Sequence, residues 1–177
     1  MELLNIPHRL SYRSVRYPRL EFKTGKLLII LPFGYKRDRL LEKHGGWILS
    51  KTKFIKECLN AARTKKLVRR SEGEFKNLVF SCVKEASKDL GQGLNRIYFR
   101  MMKTKWASCS ARRNLMVNTL MKYLPDRLIK YVIFHEMAHL KEKRHNGQFW
   151  EMVSKRFINY RDLEKDLFVY WFQVAGR

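Results

Sequence analysis

The stretch 131-YVIFHEMAHLKEKRH-145 holds three of the chain's five histidines. His135 and His139 stand four residues apart and bracket Glu136. Residues four apart on a helix are neighbours on one face, so both imidazoles can direct a ring nitrogen at one ion. Glu136 is turned by about 100° from His135. That sets its carboxylate beside such an ion rather than on it, within reach of a proton from water. Neutral imidazoles suit zinc, and zinc lowers the pKa of water from 15.7 towards about 7. The residue types and their spacing are the minimum for metal-assisted hydrolysis. The alternative is a buried helix whose histidines bond to main-chain carbonyls while Glu136 sits in an ion pair. Val132, Ile133, Phe134, Met137, Ala138 and Leu140 make the helix apolar on nearly every side. Polar groups placed there need a strong partner, and an ion supplies one.

A catalytic zinc site takes three protein ligands. His145 lies six residues beyond His139, the interval found in H-E-x-x-H-x-x-G-x-x-H sites. Glu142 stands where that pattern has its glycine, so the turn must form differently, helped by Asn146-Gly147. Glu151 and Glu164 are the alternative third ligands, and imidazole chemistry favours His145. His8 and His44 have no partners in this pattern.

Working outward, Pro125 and Asp126 open the histidine helix, which the pattern carries to about Arg144. Then 148-QFWEMVSKRFINY-160 resumes as a helix, and the apolar 167-LFVYWFQVA-175 packs on the core. Upstream, 71-SEGEFKNLVFSCVKEASKDLG-91 reads as a helix with an S-x-x-E capping box and a glycine stop. Two strands with a basic turn at 111-ARRN-114 follow it. The N-terminal region alternates over 17-YPRLEFK-23, turns at Thr24-Gly25 and continues into 27-LLIIL-31, a hairpin or short meander. Two helical segments flank Gly45-Gly46.

The 177 residues carry 38 Lys plus Arg against 16 Asp plus Glu, a net charge of +22. Such an excess attracts polyanions, nucleic acid or nucleotides among them. No known nucleic-acid-binding motif accompanies it, so sequence-specific reading is not expected. No apolar run approaches the roughly 20 residues that cross a bilayer, and the N-terminus lacks the pattern of a secretory signal. Three cysteines, Cys58, Cys82 and Cys109, form no CxxC, which points to a reducing, cytoplasmic setting without disulfides. Cys109 reads as a small buried side chain rather than a nucleophile.

The succession 105-KWASCS-110, 118-NTLMKYLP-125, 131-YVIFHEMAHLKEKRH-145 and 149-FW-150 resembles the YgjP-like zincin metallopeptidases, with the SprT-like and WLM zincins as wider relatives. The likeness covers most of the chain and is strongest over residues 96–160. It implies zinc held by His135, His139 and His145, with Glu136 as general base. One departure is Ala107, where the family usually has glycine. The resemblance also implies a strand beside the histidine helix that pairs with an extended peptide or protein substrate. In such a site Trp106, Ser108, Cys109 and Asn118 serve as supports; Tyr131, four residues before His135 on the same face, reads as a core or helix-packing residue, with oxyanion stabilisation as the alternative.

The expected fold is α+β, a single domain over 1–177. A basic N-terminal hairpin with helices (1–92) leans on a zincin core (93–177), in which a small antiparallel sheet flanks the HExxH helix. The expected activity is zinc-dependent hydrolysis of peptide bonds. The alternatives are a metal-dependent nucleotide hydrolase, or a nucleic-acid-associated module with a structural zinc.

Overall fold

The computed structural model describes residues 8–23 and 26–174. Strands β1 (His8–Tyr12), β2 (Arg19–Lys23) and β3 (Lys26–Leu31) come first, followed by helices α1 (Arg37–Ala62) and α2 (Glu72–Leu90). Strands β4 (Arg96–Arg100), β5 (Ala107–Cys109) and β6 (Asn114–Asn118) lead through a 3-10 turn at Thr119–Tyr123. Helices α3 (Asp126–Ala138), α4 (Gly147–Arg156) and α5 (Tyr160–Val174) complete the chain. By packing these form two compact units, Met1–Thr64 and Lys65–Arg177, in an α+β chain.

In the first unit β3 is central, with β2 antiparallel on one side and β1 parallel on the other. The expected Thr24-Gly25 turn lies outside the described residues. Leu27, Ile29 and Leu31 share one face of β3 and pack with Leu40, Leu41 and Ile48 of α1. That packing explains why α1 runs unbroken through Gly45-Gly46, where the sequence pattern predicts two segments. Each glycine costs a helix interior about 1 kcal/mol relative to alanine. Burying Leu41 and Ile48 contributes about 1.5–3 kcal/mol apiece, and Gly45 sits buried on the same stripe.

The second unit is built on α2 and α3. Ser71 and Glu74 form the capping box reciprocally, and Gly91 ends α2 at φ 61°. A stripe of Phe75, Val79, Cys82, Ala86 and Leu90 enters the larger core. In the second sheet β6 is central, paired parallel with β4 and antiparallel with β5. The turn between β5 and β6 places Arg113 at φ 57°, the one non-glycine with positive φ among the described residues. Ala107 therefore lies in ordinary extended backbone, and its methyl group, 4% exposed, fills a core site. A glycine is not required there.

Helix α3 is buried on almost every side, from Leu128 to Ala138. Arg70 fixes its start, donating to the carbonyls of Lys122 and Leu124 and pairing with Asp126. The helix ends at Ala138, six residues short of the Arg144 that the pattern predicts. Leu140 and Lys141 bond three residues back, to the carbonyls of Met137 and Ala138. These tight turns bring the chain round without a glycine. Asn146 then caps α4 by accepting from the Phe149 amide at 3.1 Å.

Candidate metal centre

The three histidines of the opening stretch meet in space: one potential ligand atom from each lies within 4.8 Å of the others. His135 comes from the last turn of α3, His139 from the residue capping it, and His145 from the loop before α4. His135 Nε2 and His145 Nε2 are 2.9 Å apart. Two neutral-imidazole nitrogens on one tetrahedral zinc are separated by about 3.3 Å, given zinc–nitrogen bonds of about 2.0–2.1 Å. The observed spacings bracket that value.

Two of the rings, His139 and His135, are turned by what their other nitrogen meets. His139 Nδ1 lies 3.0 Å from the Glu142 carbonyl oxygen. A carbonyl only accepts, so Nδ1 carries the hydrogen and Nε2 keeps its lone pair for an ion. The early end of α3 is what brings this carbonyl back to the ring. His135 Nδ1 faces the Tyr131 hydroxyl at 3.4 Å and Glu164 Oε1 at 3.6 Å. Tyr131 donates to that same Glu164 oxygen at 2.5 Å. Burial, reinforced by His139 and then His145, pushes the His135 pKa down to about 3. Burial also lowers that of His145. These rings are neutral at physiological pH, the form that binds a metal.

Aromatic rings hold the cluster from behind. Phe149, fully buried, stacks on His139 with centroids 4.6 Å apart. Trp150 stacks on His145 at 5.4 Å and on Tyr160 at 4.8 Å. The Phe149-Trp150 pair is thus a wedge that sets two of the three imidazole planes.

Glu136 occupies the next position round the helix, in a cleft of about 670 Å³. Strand β5 with Lys105 and Trp106 forms one wall, and the histidines, Tyr131 and Glu164 another. The Cys109 amide donates to Glu136 Oε2 at 3.1 Å. Burial raises the Glu136 carboxyl to about 7, against the pull of that amide and of Lys105. β5 is an edge strand. Its register sends the Trp106 carbonyl and Ser110 amide towards β6. The Cys109 amide therefore points away from the sheet, into the cleft.

Several contacts here carry no sequence signal. Any residue at 109 would offer the same amide, and any residue at 142 the same carbonyl. Glu164, considered in sequence only as a ligand, instead meets Tyr131 and the far side of His135. Glu151 pairs with Lys155 at 2.7 Å and is not among the clustered groups. The Cys109 thiol is pushed up to about 11, chiefly by burial and then by Glu136, which removes the thiolate a nucleophile needs. Asn118 binds main-chain groups of the 102–105 loop, and Trp106 packs edge-on against Trp171 with centroids 4.9 Å apart. Both support the cleft wall.

The chain is 31% identical over 65 residues to a protein named UTP pyrophosphatase from Escherichia coli (strain K12); the match spans 37% of this chain and 39% of that protein's length. It superposes on the crystal structure of the metallopeptidase zymogen of Pyrococcus abyssi abylysin with TM-score 0.44 and 26% identity, over 49% of this chain and 87% of that one. The metallopeptidase zymogen of Methanocaldococcus jannaschii jannalysin gives TM-score 0.44 and 27% identity, over 50% and 90%. The model of the YgjP-like metallopeptidase domain matches residues 56–169, from within α1 to within α5. That span takes in the histidine cluster, Glu136 and the β5 wall, and by it the chain belongs to the YgjP-like metallopeptidase family, whose members imply a divalent metal.

Proposed function

We propose that this chain is a zinc-dependent peptidase. In this reading His135, His139 and His145 hold the ion and Glu136 is the general base. The observation that carries the reading is the placement of Glu136. Its side chain is half-buried, its carboxylate is held by the Cys109 amide, and it is next in sequence to one of three convergent imidazoles. The donor set fits zinc: three imidazoles, with the His139 ring oriented by the Glu142 carbonyl and the His135 ring facing Tyr131 and Glu164 on its far side. The clustered groups number three among the described residues and border an open cleft, which supports a catalytic rather than a closed structural site.

When bound, the ion would supply a Lewis acid for the scissile carbonyl and lower the pKa of water. The remaining steps belong to the protein's own side chains. A carboxyl poised near neutrality can take the proton of the attacking water and return it to the leaving amine. Lys105 draws the Glu136 pKa down against burial, which favours the charged form that accepts the proton. The outward edge of β5 offers main-chain groups to an extended substrate, which would lie along the cleft beside the histidines. A Glu136→Gln variant is expected to retain metal and lose turnover of an unfolded protein substrate by at least 100-fold. Turnover within tenfold of the parent would refute the assignment.

A second reading has its own support. The relative named UTP pyrophosphatase is 31% identical over the 65 matched residues, and Lys105 places a cation in the cleft wall. In that reading the substrate is a nucleoside triphosphate, and the same base activates water against a phosphoanhydride. Assaying one metal-loaded preparation on UTP and on unfolded protein separates the two. Release of pyrophosphate without peptide cleavage would replace the peptidase reading.

A further inference from the structure

We infer that one end of the N-terminal sheet is a docking platform for single-stranded nucleic acid. The inference rests on the first unit alone and is independent of the metal centre. Strand β1 ends at Tyr12, opposite Leu31, and β2 begins at Arg19, opposite Ile30. The segments 13–18 and 32–36 therefore leave the sheet at the same end. Six basic side chains collect on and beside them: Arg13, Arg16, Arg19, Lys36, Arg37 and Arg39. All are exposed except Arg37, which is half-buried and bonded to Asp38 at 2.9 Å. Lys36, Arg37 and Arg39 line a recess with Tyr12, whose acidic members are Asp38 and Glu42.

Charge alone would fit any polyanion; the rings narrow the choice. Tyr12, Tyr17 and Phe33 are 46%, 64% and 74% exposed at this end. Tyr12 and Phe33 stack on each other, centroids 6.5 Å apart and planes 21° from parallel, and the Arg16 guanidinium lies 5.3 Å over Tyr17. Among the described residues, none of the three rings belongs to the core cluster of this unit. The sheet's apolar face is closed by Leu27, Ile29 and Leu31 against α1. Exposed flat rings among cations are what unpaired bases stack on while arginines take the phosphates. A duplex keeps its bases stacked and has no use for the rings. An anionic membrane would select charge with little regard for ring planes. Five of the six cations are arginines, whose planar forks suit phosphate better than a diffuse lipid surface.

The test is fluorescence anisotropy of a labelled oligo-dT of roughly 15 nucleotides with the full chain, in chelator, across a salt series. The parent should prefer the single strand to the same length of duplex by about tenfold. Tyr12→Leu, Tyr17→Leu and Phe33→Leu keep apolar bulk and should each weaken binding by about tenfold, leaving the salt slope unchanged. Arg13→Ala and Arg16→Ala should instead lower that slope by about 0.7 each. Equal affinity for duplex, or leucine variants that bind like the parent, would overturn the inference. So would competition by phosphatidylserine vesicles that exceeds competition by unlabelled oligonucleotide at equal charge. The strand-against-duplex comparison uses only the parent protein, so it decides even if a variant fails to fold.

Discussion

Replacing Asn118 by leucine should destabilise the second unit by about 3–5 kcal/mol. Asn118 is the one polar side chain among the described residues that is fully buried. Its amide makes every hydrogen bond it can. Nδ2 donates to the Met102 and Lys105 carbonyls at 2.8 and 2.7 Å, while Oδ1 accepts from the Leu120 and Met102 amides at 3.1 and 3.3 Å. Leucine has nearly the same shape and makes none of these. Four bonds at about 1 kcal/mol net each give about 4 kcal/mol, less where half-buried Met102 regains water and more where the Leu120 amide stays dry. Aspartate at 118 provides the sharper test. It keeps both acceptor bonds but turns a carboxylate towards two carbonyls, which raises its folded-state pKa. Stability of that variant is then highest at low pH. It falls as pH rises from the unfolded-state value near 3.9 to the raised folded one, then levels. Urea unfolding followed by tryptophan emission reports this directly, because Trp106 follows the clamped loop and packs on Trp171. A leucine variant within about 1 kcal/mol of the parent, or an aspartate variant with the parent's pH dependence, would refute the clamp.

Tyr131→Phe and Glu164→Gln should each lower zinc affinity by about 10–100-fold, read by competition with a chromophoric chelator. Unchanged affinity would mean that Glu164 does not orient His135. In the metal-free protein, Glu136→Gln should add stability at pH 8, up to about 3 kcal/mol, because burial holds that carboxyl near 7. The parent should lose this increment as pH rises from about 4.3 to about 7; chemical denaturation at pH 5 and 8 checks the sign. Ser71→Ala removes one half of the capping box and should cost about 1 kcal/mol, visible as a lower Tm with the metal affinity intact.

The sequence by itself determined the features that depend on near neighbours. The His135, Glu136 and His139 spacing follows from the helical repeat, the Ser71–Glu74 cap from adjacent residue types, and the Leu27, Ile29, Leu31 face from the strand repeat. His145 was visible by its six-residue interval from His139, just past an apolar helix. Tertiary structure decided the rest, because main-chain atoms or residues far apart in the chain carry it. Helix α3 stops at Ala138 and gives way to tight turns, and the Glu142 carbonyl that turns His139 follows from that stop. The Cys109 amide on Glu136 and the carboxylate of Glu164 beside His135 join segments 27 and 29 residues apart. The parallel pairings of β1 with β3 and of β4 with β6 leave no local pattern either. Side-chain periodicity reports which face of an element is buried. It is silent on what that element is buried against, and the orientation of this metal centre is set by what lies against it.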